Sequence, residues 1–209
     1  MESSVFNSLL HSVAQDERYN TEMGVAKEEF AVFAGQIFET DRNYYARINS
    51  FHNWYILDRP LKSRGMTPLG YYLEYNANTL SSDEFRDLQE LLGNRHSLFE
   101  LLRTTPTHVQ VRDLFSGEKF EVEGGDGAGY LDKGVLFNTR LFQHSGRVYF
   151  SNYFILHPSE VFKRLRLEAR KLRKSRTDPK SFLFRLLLYQ SRWDQYKQME
   201  LKNIYRFDD

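Results

Sequence analysis

The chain has 209 residues, 41% of them hydrophobic and 27% charged, a net charge of +1 at neutral pH, and no cysteine. That is enough apolar material for a core, and the missing thiol excludes disulfides, thiolate zinc sites, iron–sulfur clusters and cysteine nucleophiles. No apolar run approaches the roughly 18 residues of a membrane span, and Met1-Glu2-Ser3-Ser4 lacks the positive start of a secretory signal, so the expectation is a cytoplasmic protein without a span.

In chain order, Val5, Phe6, Leu9, Leu10 and Val13 recur at spacings of three and four and predict a docked helix. Phe30, Phe33, Ile37, Tyr44, Ile48, Phe51 and Tyr55 continue that rhythm, with Asp41 where an apolar residue is due. Either one helix runs through with a polar notch, or Thr40 or Asp41 caps a second. Asp58-Arg59-Pro60 ends the pattern. Thr67-Pro68 restarts it, and Ser81 with Glu84 forms a capping box before Phe85, Leu88, Leu91 and Leu92.

From Ser97 the period becomes two. Val109 and Val111, a turn at Ser116-Gly117, then Phe120 and Val122 predict a hairpin. Leu136 to Phe142 and Val148 to Leu156 predict a second pair of strands about His144-Ser145-Gly146. These strands predict a small antiparallel curled sheet or barrel of the SH3 or OB kind, with the choice open.

Ser159 then caps a helix with an apolar stripe, Val161, Leu165, Ala169 and Leu172, beside a basic one. Asp178-Pro179 opens a last helix carrying Phe182, Leu186, Tyr189, Trp193, Tyr196 and Met199. The expected fold class is thus α+β: a helical region over 1–95, a β-module over 96–158, and a basic helical C-terminal region over 159–209 that packs on the rest. Residues 159–209 hold fourteen Lys and Arg against seven Asp and Glu, net +7, and the remainder is net −6. Such polarity predicts internal docking or an anionic partner.

Three stretches carry a resemblance: Phe51-His52-Asn53-Trp54 through Asp58; Gly65-Met66-Thr67-Pro68-Leu69 with Tyr72-Leu73; and Asp113-Leu114-Phe115-Ser116-Gly117-Glu118. With Leu131-Asp132-Lys133-Gly134-Val135-Leu136 and Arg140-Leu141, this order resembles uncharacterised bacterial proteins, some of which carry a zinc-binding SEC-C motif. The resemblance covers roughly residues 50–157 and implies a bacterial origin and a β-module, with no activity. The zinc motif is absent here.

The six histidines lack metal-ligand spacing, so neither a metal nor a cofactor is expected, although folding can still join residues far apart. The run Gly124-Gly125-Asp126-Gly127-Ala128-Gly129 lacks the lysine and Ser/Thr of a phosphate loop and reads as a connection. Asp41 and Asp58 sit among apolar residues near Arg42, Arg47 and Arg59, which predicts caps or ion pairs.

The feature above background is the basic helix 159–176, where Lys163, Arg166, Arg170, Lys171, Arg173, Lys174 and Arg176 are candidates for an anionic partner. Tyr189, Trp193 and Tyr196 are candidates for docking another protein. The reading is a non-enzymatic protein-interaction or regulatory protein. The alternatives are a nucleic-acid-binding protein using the basic helix, and an enzyme whose site joins distant residues such as His52 and Asp58.

Overall fold

A computed structural model describes residues 2–124 and 131–207. The first six helices are α1 (Glu2–Gln15), α2 (Glu17–Asn20), α3 (Met23–Ala34), α4 (Tyr44–Leu57), α5 (Pro68–Tyr75) and α6 (Ser82–Glu90). Their starts follow local chemistry. Thr67 accepts from the Gly70 N–H with Pro68 in the first turn, and Ser81 and Glu84 close a capping box.

The long apolar rhythm is broken in two. Gly35, at φ 86°, ends α3, and α4 begins after Asn43, so neither Thr40 nor Asp41 is the cap. Asp41 instead accepts from the Phe38 N–H and lies 3.6 Å from Arg47. The buried Arg47 guanidinium donates to the carbonyls of Ala34, Gly35 and Gln36 at 3.3, 3.0 and 2.9 Å, filling the C-terminal acceptors that α3 leaves open.

Six strands follow: β1 (Arg95–Thr104), β2 (His108–Asp113), β3 (Lys119–Glu123), β4 (Leu136–His144), β5 (Arg147–Phe150) and β6 (Ile155–Leu156). Their order is β1-β2-β3-β5-β4, and β1 also pairs with β4, so five strands close into a barrel with β6 added along β4. The sheet is mixed, because β3 and β5 meet in parallel at Val122 and Val148. The module was expected to be antiparallel throughout, and the single parallel pairing departs from that expectation. The expected strand Val148 to Leu156 is broken: Ser151 donates its N–H to Arg140 and its hydroxyl meets Thr139, which turns the chain between β5 and β6.

Phe99, Leu101, Val109, Val111, Val122, Phe137 and Leu141 fill the barrel. The outward residues of β4 tie it to everything else. Leu136 joins the C-terminal helices, Asn138 meets His157, Arg140 reaches Asp58, and Phe142 enters the N-terminal helical core.

The C-terminal helices are α7 (Phe162–Ser175), α8 (Lys180–Gln195) and α9 (Leu201–Ile204). Ser159 does not cap α7. Pro158 opens a 3₁₀ turn over Ser159–Val161, and the Ser159 hydroxyl donates to Glu160 instead. The helix α8 stops at Gln195, so Met199 lies beyond it. Arg176, at φ 54°, ends α7 in the left-handed region. Of the glycine run, only Gly124 falls among the described residues.

Candidate functional site

The face of α7 is set by its periodicity. Val161, Leu165, Ala169 and Leu172 turn inward onto Leu98, Leu114 and Leu136. The opposite line is therefore Lys163, Leu167, Arg170 and Lys174, at spacings of four, three and four. These four residues are exposed, Leu167 at 53%, and at a rise of 1.5 Å per residue they span about 16 Å.

The seven candidate cations divide by partner. Arg166 is held by Glu100 of β1 at 2.9 Å and by the Gly134 carbonyl at 3.0 Å, so it fastens the helix to the barrel. Lys171 pairs with Glu168 at 3.1 Å along the helix. Lys163, Arg170, Arg173, Lys174 and Arg176, with Lys180 at the start of α8, have no acidic partner within 4 Å among the described residues. Arg173 lies close to the backbone of Gly117, where an added Cβ would come within 2.4 Å of its Nη1.

The internal docking expected from the charge asymmetry is thus carried by few residues. Arg166 meets Glu100, while Asp194 of α8 accepts from Asn43 at 2.5 Å. Arg164 donates to the Phe207 carbonyl at 2.7 Å, and Lys163, Arg170 and Lys174 face outward.

The aromatic candidates on α8 are split. Tyr189 is buried; its ring packs on Tyr205 and Phe207, and its hydroxyl donates to the Arg206 carbonyl. Trp193 is half-buried against the C-terminal core, with the Lys197 ammonium 4.5 Å above its ring. Tyr196, which ends α8, is exposed.

The candidate catalytic pair does not meet, since His52 and Asp58 share no hydrogen bond among the described residues. Asp58 receives the fully buried Arg140 guanidinium, which also donates to Asn94. His52 leaves its Nδ1 buried with no partner among the described residues, and burial with the nearby Lys27 charge lowers its pKa to about 4. Burial, then Arg140 and Lys180, hold His96 well below the ordinary range.

Sequence reasoning passed over His157. Its Nδ1 lies 3.0 Å from the Tyr205 hydroxyl and its Nε2 3.0 Å from Asn138 Oδ1, and burial pushes its pKa to about 3. The Asn138 amide donates to the Leu183 carbonyl, so Oδ1 is its accepting end, Nε2 carries the proton, and the Tyr205 hydroxyl donates to Nδ1. The partners are distant in sequence, and only the His157-Pro158 break hinted at a special position.

No helix among the described residues is long and apolar enough to cross a membrane. The outward side of β2–β3, the ligand face of oligonucleotide-binding OB barrels, carries His108, Gln110, Arg112, Lys119, Glu121 and Glu123, with both charges and no Phe, Tyr or Trp.

Fold and surface together define an α+β protein built on a small closed barrel, with one outward basic face on its C-terminal helices. The chain belongs to DUF7986, a family of unknown function whose model matches residues 7–191. Searches of curated proteins and of solved structures find no match.

Proposed function

We propose that this is a non-enzymatic interaction protein of the bacterial cytoplasm that docks an acidic protein partner on the outward face of α7. The carrying observation is the line Lys163, Leu167, Arg170 and Lys174, in which exposed cations with no acidic partner among the described residues surround an exposed leucine. A cationic rim steers an acidic partner and a central apolar side chain anchors it. The non-enzymatic reading is supported by how the conspicuous polar groups are used. Asp58, Asp41 and His157 are all committed to holding the fold.

Nucleic acid is the weaker reading. A phosphate backbone would use the same cations, but Leu167 has no role in it, and the β2–β3 face lacks the aromatic platform on which bases stack.

Fluorescence anisotropy at low salt separates the two. The probes are an acidic peptide carrying leucines, the same peptide with serines in their place, and a DNA duplex. The leucine peptide should bind most tightly. Reversing Lys163, Arg170 and Lys174 to Glu should abolish binding, and Leu167→Ser should erase the preference for leucine. Equal or tighter binding to DNA overturns the protein reading, and binding to none of the probes overturns the docking face itself.

A further inference from the structure

Asp87 and Glu90 lie one turn apart on α6, and His144 is the last residue of β4, at the turn into β5. Folding places His144 Nδ1 2.8 Å from Glu90 Oε2 and 3.8 Å from Asp87 Oδ1. One donor atom from each residue lies within 4.8 Å of the other two, and all three side chains are half-buried. From this geometry we infer that Asp87, Glu90 and His144 bind one divalent transition-metal ion, with zinc preferred, which clips α6 to the β4–β5 hairpin.

The donor set fits that ion. One imidazole nitrogen and two carboxylate oxygens match the ligand types of zinc, which takes such donors at about 2.0–2.2 Å in a tetrahedral shell. Adjacent donors in that shell are about 3.4 Å apart by the same geometry. The His144 separations of 2.8 and 3.8 Å fall on either side of that value, and the Asp87 and Glu90 oxygens lie within 4.8 Å of each other, so the shell forms by side-chain adjustment.

The surroundings are arranged for it as well. The Ser145 N–H lies 3.2 Å from Glu90 Oε2 and orients that carboxylate from outside the ligand set. The turn presenting both His144 and this N–H is fixed by left-handed conformations at Ser145, φ 49°, and Gly146, φ 76°. The competing cation is Arg86, 3.4 Å from Asp87 Oδ1, but it is exposed and also 3.1 Å from Asp83, so it can yield the oxygen.

Without an ion the triad is a histidine shared by two acids, and the two descriptions predict different results. The full chain, stripped with a chelator, is titrated with zinc chloride by calorimetry and melted with and without zinc. The expected result is one ion per chain and a higher melting temperature with zinc. His144→Ala and, separately, Glu90→Gln should each weaken binding by at least about tenfold. Glu90→Gln keeps an acceptor for Ser145 and so tests the site if His144→Ala fails to fold. Absence of stoichiometric zinc binding, or an affinity unchanged in either folded variant, overturns the inference.

Discussion

Acidification should destabilise this protein well above the pH at which carboxylates titrate, and three histidines set the size of the effect. His157 is the clearest: it is buried at 5% exposure, both ring nitrogens are engaged, and its pKa falls from 6.5 to about 3. The unfolded chain therefore binds more protons than the folded one below pH 6.5, so stability falls as pH falls toward 3. At pH 5.5 an unfolded histidine is about ten to one protonated while His157 in the fold is not, which costs about 1.4 kcal/mol. His52, at about 4, adds a similar amount, and His96, held well below its ordinary value, acts in the same direction. His157 and His52 together give about 3 kcal/mol between pH 7.5 and 5.5. For a chain of this size that lowers the melting temperature by about 6–12 °C. Thermal melts by circular dichroism at the two pH values and equal ionic strength measure it. His157→Gln should lower stability at pH 7.5 yet remove the share of the pH response that His157 carries, about 1.4 kcal/mol. A melting temperature that does not move between pH 7.5 and 5.5, or a response undiminished in His157→Gln, would refute the reasoning.

Two further outcomes follow from the helix corner and from the junction with the barrel. Arg140→Met leaves Asp58 and Asn94 facing a side chain with no donor, and should cost about 3 kcal/mol in urea denaturation, at the low end for a broken buried pair because Asp58 is 23% exposed. Adding Asp58→Asn should recover part of that loss, and strict additivity of the two changes would show that the pair is uncoupled. Gly35→Ala meets a positive φ and Leu188 Cδ1 at 3.1 Å, and should cost about 1–3 kcal/mol, whereas Gly24→Ala, with nothing within 4 Å on α3, should be neutral or gain about 0.5 kcal/mol; equal effects at the two glycines would contradict this account.

What was legible in the sequence is what local chemistry decides. Thr67-Pro68 and Ser81 with Glu84 specify helix starts through hydrogen bonds to residues three positions away, and Ser116-Gly117 and His144-Ser145-Gly146 specify turns, so these elements form as expected. Asp41 and Ser159 are also good caps locally, but other neighbours decided otherwise: Arg47 attracts Asp41, and the adjacent Pro158 starts a 3₁₀ turn ahead of α7. A curled sheet or barrel was expected, but which strands close it was not legible, because the β1–β4 pairing joins segments separated by a full hairpin and its connection. The same holds for the surface. The cations of α7 were visible as a run, but only packing shows that Arg166 is spent on Glu100 while Lys163, Arg170 and Lys174 face outward. The meeting of Glu90 with His144 had no local signal, since neither residue is remarkable among its sequence neighbours.

The guanidinium of Arg47 has a mechanical meaning. By grasping three successive carbonyls where α3 ends, from the first turn of α4, it braces the elbow between α3 and α4 against flexing. Shape change in the N-terminal half must therefore displace α3 and α4 together as one rigid unit, taking along Phe184 of α8, whose ring is wedged against Phe30, Phe33 and Trp54.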